Sequence, residues 1–455
     1  SSSSSVNASS ATYVAYLFAH NNNDGGFGST GDQDVIKCGS YTGNGSTGNN
    51  VTLGFEPQWV LVKRADASED WTIYDAQRGG MVTTDIDATY LEPNDSAEES
   101  SHPNRMVVTP NGFMLNINDG RTNASGGTYI YVAIRRGPMQ TPTAATDVFA
   151  TFKQTDGDGS GNTVVSATTP SFPFDLLVHK WTGSSREWDV ADRLRGRTKF
   201  LKTDENGAEA TEAGFLSGFD RMVGYKTGSN GTPFYTSVDS VAYFFKRAPG
   251  FFDLVAYTGT GSNQTIKHNL NVAPEIVLIK RRDGARNWAF TTNFSSSSYT
   301  LAYLDDSYAP GASGSSYDTA ITAQPSSTEF FVGSSADTNY SSYTYITFLF
   351  ATLAGVSKVG TYSGTGSDVN VDCGFTSGAR FVLAKRVDSS GDWFVWDSTR
   401  GIVAGNDPYV LFNTTAAEVT NTDYIDPLSS GFTITSNAQS DLNTNGGTYL
   451  FLAIA

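Results

Sequence analysis

Three carboxylate–guanidinium pairs share one spacing in this 455-residue chain. Asp75 and Arg78, Asp192 and Arg195, and Asp397 and Arg400 each frame two residues, and a glycine follows each arginine. Two chemistries suit such a pair. One is a ligand clamp or acid–base couple. The other is a structural latch, because an arginine fork grips a carboxylate two-fold and can pin a turn. The latch is the better reading: a latch is useful in every repeat, whereas one chain rarely needs the same catalytic centre three times, and ion-pair networks are often structural.

The pairs belong to a longer grammar. Trp71, Trp188, Trp288 and Trp393 each follow a lysine by eight residues: Lys63, Lys180, Lys280 and Lys385. The third set reads Thr292 and Ser295 where Asp and Arg are expected. The tryptophans could stack sugars, but a fixed place after a strand suits a half-buried core aromatic that keeps one polar handle. Tyr299, Tyr303, Tyr308 and Tyr317 lie in the Ser/Gly/Asp-rich middle of the third copy. That is the composition of adaptable binding loops, and these four are the candidate ligand contacts.

Other chemistries find less support. Asp156-Gly-Asp158-Gly-Ser160-Gly-Asn162 resembles the front of a calcium loop, but Ala167 stands where the closing acidic ligand belongs. Asp24, Asp32 and Asp34 form a second acidic loop, and tight Asp-Gly turns account for both. No metal and no cofactor is expected. His20, His102, His179 and His268 share no repeat position, and no HExxH, GxSxG or phosphate-loop motif occurs. No catalytic residue is assigned, although carboxylates paired across the sequence for glycoside cleavage stay open.

The elements that must position these residues repeat roughly every hundred residues, the size of a small domain rather than a solenoid rung. The expected organisation is a terminal strand of a preceding repeat at 1–20, a loop at 21–34, repeats at 35–136, 148–247, 248–355 and 356–455, and a linker at 137–147. Short strands between Gly/Asn/Ser/Thr turns predict an all-β chain of tandem two-sheet sandwiches, jelly-roll or lectin-like. Pro57, which cannot donate to a ladder, should stand just before its strand. In the closing strand of the first copy, Ile130, Val132 and Ile134 alternate with Tyr129, Tyr131 and Ala133. Both faces are apolar, which predicts a central strand covered on both sides. Asn7 to Tyr13 matches Asn123 to Tyr129, so residues 1–20 read as a last strand, either of a longer protein of which this is a piece or added to a neighbour's sheet.

Composition bounds the partners. A formal charge of −16 repels phosphate backbones, so nucleic-acid binding is not expected. No apolar run approaches the ~20 residues of a spanning helix, so no membrane insertion is expected. Cys38 and Cys373 fall at different repeat positions and read as free, buried small residues.

Gly54, Phe55, Pro57, Lys63, Arg64, Asp75, Arg78, Gly79, Leu91, Asn94, Ala97, Glu99, Gly112, Phe113, Thr128, Tyr129 and Ala133 together form a pattern. It resembles a repeat domain of tail-fibre-like virion proteins of marine bacteriophages, the cyanophage type. The resemblance implies a non-enzymatic tail-fibre or adhesin segment on the virion surface. It would form a homo-oligomer, a trimer by preference, and contact other virion proteins and a host surface glycan or protein. The alternatives are a decoration protein or head fibre on the capsid, and a polysaccharide-degrading tailspike.

Overall fold

The computed structural model of the chain describes residues 8–20, 34–78, 89–102, 105–137, 140–154, 165–212, 214–219, 221–227, 238–295, 298–311 and 320–455. Strand accounts for 41% of it and helix for 2%, which makes the class all-β. Valine, isoleucine and aromatic residues crowd the strands because their branched or flat side chains pack well on a pleated surface.

One strand order recurs along the chain. In the first segment the main sheet runs Ile36–Thr42, Thr128–Arg135, Pro57–Arg64, Thr72–Asp75. The second runs Phe149–Gln154, Ser240–Phe245, Leu176–Trp181, Asp189–Asp192. The third runs Phe252–Thr258, Thr344–Phe350, Ile276–Arg281, Ala289–Ser295, with Ser298–Tyr303 added. The fourth runs Ser357–Ser363, Thr448–Ile454, Phe381–Arg386, Trp393–Asp397, with Val410–Leu411 added. All neighbours are antiparallel, and the closing strand always lies between the opening strand and the lysine strand. Pro57 opens its strand at a bulge beside Trp59, where a missing N–H costs no ladder bond.

A smaller sheet covers one face of each main sheet. In the fourth segment it is Val369–Asp372, Gly431–Ile434 and Ile425–Leu428, and Val382, Phe394, Phe432 and Ile434 pack between the layers. Ile279, Phe330 and Val332 do the same in the third segment. In the first, third and fourth segments a buried tyrosine fastens the closing strand to the turn before it. The hydroxyls of Tyr129, Tyr345 and Tyr449 accept the backbone N–H five residues upstream, at 2.8, 2.8 and 2.7 Å.

Residues 8–20 keep that local turn, since the Ala8 N–H donates to the Tyr13 hydroxyl at 2.6 Å; they join no sheet among the described residues, and Val14, Tyr16, Leu17 and Phe18 are exposed. One expectation needs correction. The closing strand of the first segment is covered on one face only. Tyr129, Tyr131 and Ala133 are buried, whereas Ile130 is exposed and Val132 and Ile134 are half-buried. In the third segment every residue of the equivalent strand is buried.

Candidate functional site

The turn after each short tryptophan strand begins with Asp75, Asp192 or Asp397, the last residue of its strand. Each carboxylate accepts the backbone N–H of the arginine three residues on, at 3.1, 2.9 and 3.0 Å. Each also accepts that arginine's Nε. In the second and fourth segments the guanidinium additionally donates to a strand carbonyl, Val190 or Val395, at 2.9 Å in both. Gly196 and Gly401 follow with φ of +89° and +135°, a backbone region that favours glycine. Where Thr292 replaces the aspartate, the strand simply continues to Ser295 and returns as Ser298–Tyr303.

Each latch has a third member that the spacing did not reveal. Glu99 meets Arg78, Glu209 approaches Arg195 at 3.5 Å, and Glu418 meets Arg400 at 3.2 Å. For Glu99 and Glu418 its sequence signal was the last position of the motif shared by Leu91-x-x-Asn94-x-x-Ala97-x-Glu99 and Val410-x-x-Asn413-x-x-Ala416-x-Glu418. Burial works against the Arg400 charge, and Asp397 and Glu418 more than restore it, so its pKa lies above the ordinary value. Asp192, Arg195 and Asp397 are fully buried, which leaves no room for a substrate between them.

The tryptophans do more than fill their own sandwiches. Trp188, Trp288 and Trp393 are fully buried, and each indole N–H crosses to another segment. Trp188 donates to the Leu411 carbonyl at 2.8 Å, Trp288 to Lys202 at 2.7 Å, and Trp393 to Tyr303 at 3.1 Å. The second segment thus engages the fourth, the fourth the third, and the third the second, which closes a cycle. The three acceptors hold one repeat position, each two residues before the side chain that caps the tryptophan's own N–H: Asn413, Asp204 and Asp305.

The lysines make the same crossings. Lys180 donates to Thr414 O at 3.2 Å, Lys280 to Asn206 O at 2.8 Å and Lys385 to Ser307 O at 3.0 Å. Each ammonium also lies 5.5 to 6.0 Å from its tryptophan ring centroid. Burial pushes all three lysines down to about 8. It pushes the neighbouring Asp204 and Asp305 up to about 6. On the axis of the cycle Val178, Leu278 and Leu383 meet with Phe245, Phe350 and Phe381 around an apolar cavity of about 60 Å³. In place of three separate half-buried core aromatics, the tryptophans are therefore the seams of a three-part ring.

The first segment stands outside this ring. Trp71 and Lys63 are half-buried, and Lys63 donates to the carbonyl of its own neighbour Arg64 at 2.7 Å. The segment joins the ring through a buried charge network. Arg247 grips Glu56 two-fold at 2.7 and 2.6 Å and donates to Asp253 at 2.8 Å, which also accepts from Arg136 at 3.2 Å. Burial opposes the Asp253 charge, but Arg247 and Arg136 hold its carboxyl at about 2. Beside this network an open cleft of about 830 Å³ is lined by Trp59, Arg78, Glu99, Arg193 and Met222. Nothing in the sequence pattern marked this junction, because its members come from three segments.

The tyrosines divide. Tyr303 lies on a strand rather than a loop; its hydroxyl donates to Asp337 at 3.1 Å and its carbonyl takes Trp393, so it serves the fold. Tyr299 is on the same strand, and its side chain lies outside the described residues, as does Tyr317. Tyr308 is exposed. The loop at 156–162 and residues Asp24 and Asp32 also lie outside the described residues; Asp34 pairs with Lys37 at 3.3 Å. Among the described residues no group of three or more His, Cys, Asp and Glu is placed to hold a metal. Both cysteines are free; Cys373 is buried, but Cys38, on the first segment's opening strand, is only half-buried. His179 and Asp189 face each other at 3.9 Å, buried inside the second segment, where burial lowers the imidazole pKa and raises that of the carboxyl. Among the described residues no helix is long and apolar enough to cross a membrane.

Among curated proteins no match was found. A family model described as a domain of unknown function, DUF7483, matches residues 1–138 and 145–455. The second stretch takes in the whole three-part ring, and with nearly the entire length covered the chain belongs to the DUF7483 family.

Proposed function

We propose that this chain is a structural protein of a virion, a tail-fibre or adhesin segment that contacts the host cell surface without enzymatic activity. The observation that carries the reading is the closed ring of sandwiches. Three β-units that lock one another by buried Trp–carbonyl and Lys–carbonyl bonds form a stiff spacer with its polar surface outward. Such a body suits an appendage that must transmit force and present loops. Several copies on one particle would sum weak contacts by avidity. The polar groups most able to do chemistry are spent on structure: both fully buried latches are enclosed, and so are His179 and Asp189. The partners under this reading are other virion proteins, further copies of the chain, and a surface glycan or protein of the host.

Immunogold electron microscopy of purified virions with an antibody against the chain tests it. Label at the tail or its fibres is expected. Label over the head would replace the adhesin with a capsid decoration protein, and particles without label would remove the virion assignment. Release of reducing sugar from host polysaccharide by the purified chain would overturn the non-enzymatic reading.

A further inference from the structure

The first segment carries the ring-forming face without a ring. In segments two to four this face is sealed by neighbours. Val241, Ile346 and Leu450 on the closing strands are 0%, 0% and 3% exposed, while the equivalent Ile130 is 43% exposed. Leu201 and Val410, beside the tryptophan strand, are 1% and 0% exposed, while the equivalent Leu91 is 40% exposed. Trp71 and Ile73 are half-buried, where Trp188, Val190, Trp393 and Val395 are buried. The donor side is present in Trp71 and Lys63. The acceptor side is present too: Asn94 caps the Trp71 N–H at 2.9 Å, as Asn413 caps Trp393, which sets the Glu92 carbonyl at the position that takes an indole elsewhere. Isoleucine, leucine and tryptophan left open on one continuous face mark an interaction surface.

We propose that this face is a self-association surface, on which the first segments of three molecules of this chain close a ring with the order seen in segments two to four. The Trp71 indole of each molecule donates to the Glu92 carbonyl of the next. Leu61, Ile134 and Ile73, the counterparts of residues around the central cavity of the ring, meet at the centre, and Ile130 and Leu91 seal against the adjoining copies. The occupant is another copy of this face because the face is both halves of the junction. Each segment of the ring gives an indole to one neighbour and a carbonyl to the other, and three such units close without remainder. This deepens the homo-oligomer named above. It needs neither virion nor host, so a trimer that binds no cell would leave it standing while the adhesin reading fell.

Light scattering coupled to size exclusion, run on the full chain across the micromolar range, reads the result. The expected mass is three times that of the 48.7 kDa chain. Ile130→Glu and Leu91→Glu, made separately, should each bring the mass to that of one chain. Both sites are exposed in the single molecule, so thermal unfolding of either variant, read by circular dichroism, should match that of the wild-type chain held at concentrations where it is monomeric. A wild-type chain that stays monomeric at every concentration would overturn the proposal. So would a trimer that survives both substitutions with its fold intact.

Discussion

The first and fourth segments share nearly every motif residue, yet their tryptophans differ in environment. Trp393 is sealed between two segments, and Trp71 stands half open. The same contrast separates Arg400, fully buried, from Arg78, whose side chain is 20% exposed. The repeat grammar therefore encodes a junction as well as a sandwich. A unit with a partner buries the grammar, and a unit without one displays it.

Cutting the same side chain in both places separates the two environments. Trp393→Ala removes a fully buried indole and its inter-segment bond and should cost about 3–5 kcal/mol by urea unfolding. Trp71→Ala in the monomeric chain should cost less, about 2 kcal/mol, because part of that side chain already faces water and no bond to a neighbouring segment is lost. Equal costs would mean that the junction is not where the burial energy lies. Arg400→Ala leaves Asp397 and the Tyr243 hydroxyl buried without their cation and should cost about 3–5 kcal/mol. Arg78→Ala, at a partly solvated pair, should cost about 1 kcal/mol or less, also by urea unfolding.

A subtler test uses protons. The folded chain holds Lys180, Lys280 and Lys385 at about 8 against an ordinary 10.5. Between those values the unfolded chain carries protons that the folded chain has released, so the lysines' contribution to stability rises with pH from about 8 to about 10.5 and is flat below. Each lysine should contribute on the order of 1 kcal/mol per pH unit in that window. Burial raises the Cys373 thiol and the Tyr74 and Tyr225 hydroxyls, which act in the opposite sense at higher pH. Lys180→Met should remove about one third of the lysine slope in a melting-temperature series between about pH 8 and 9. Asp204 and Asp305, raised to about 6 from 3.8, act lower down. Their contribution is present below about 3.8 and is lost as pH rises through about 6, outside the lysine window.

Much of this fold was legible because it is local. The alternation of Tyr129, Tyr131 and Ala133 with Ile130, Val132 and Ile134 identified the strand, and the Asp-x-x-Arg-Gly spacing identified the turn. The third latch member, Glu418, was visible as a motif but not as a partner, because spacing along a chain does not say which loop folds back. The Tyr299 and Tyr303 segment misled because Ser-rich composition suggested a loop, whereas pairing with Ala289–Ser295 makes it a strand. Tertiary context overrode local composition there, as it often does in sheets.

The all-β class, the repeat register and the aspartate and arginine of each latch were readable along the chain. All of these follow from side-chain period and from groups a few residues apart. Packing in three dimensions was needed to make three segments a cycle, to set the lysines beside carbonyls of other segments, to let Arg247 collect Glu56 and Asp253 from two sides, and to leave one copy of the junction face open. Most of those outcomes depend on groups more than 70 residues apart (Lys280 and Asn206, for example) meeting in space. What brings them together is the burial of a second apolar face, which an isolated sheet exposes and which only another sheet can cover.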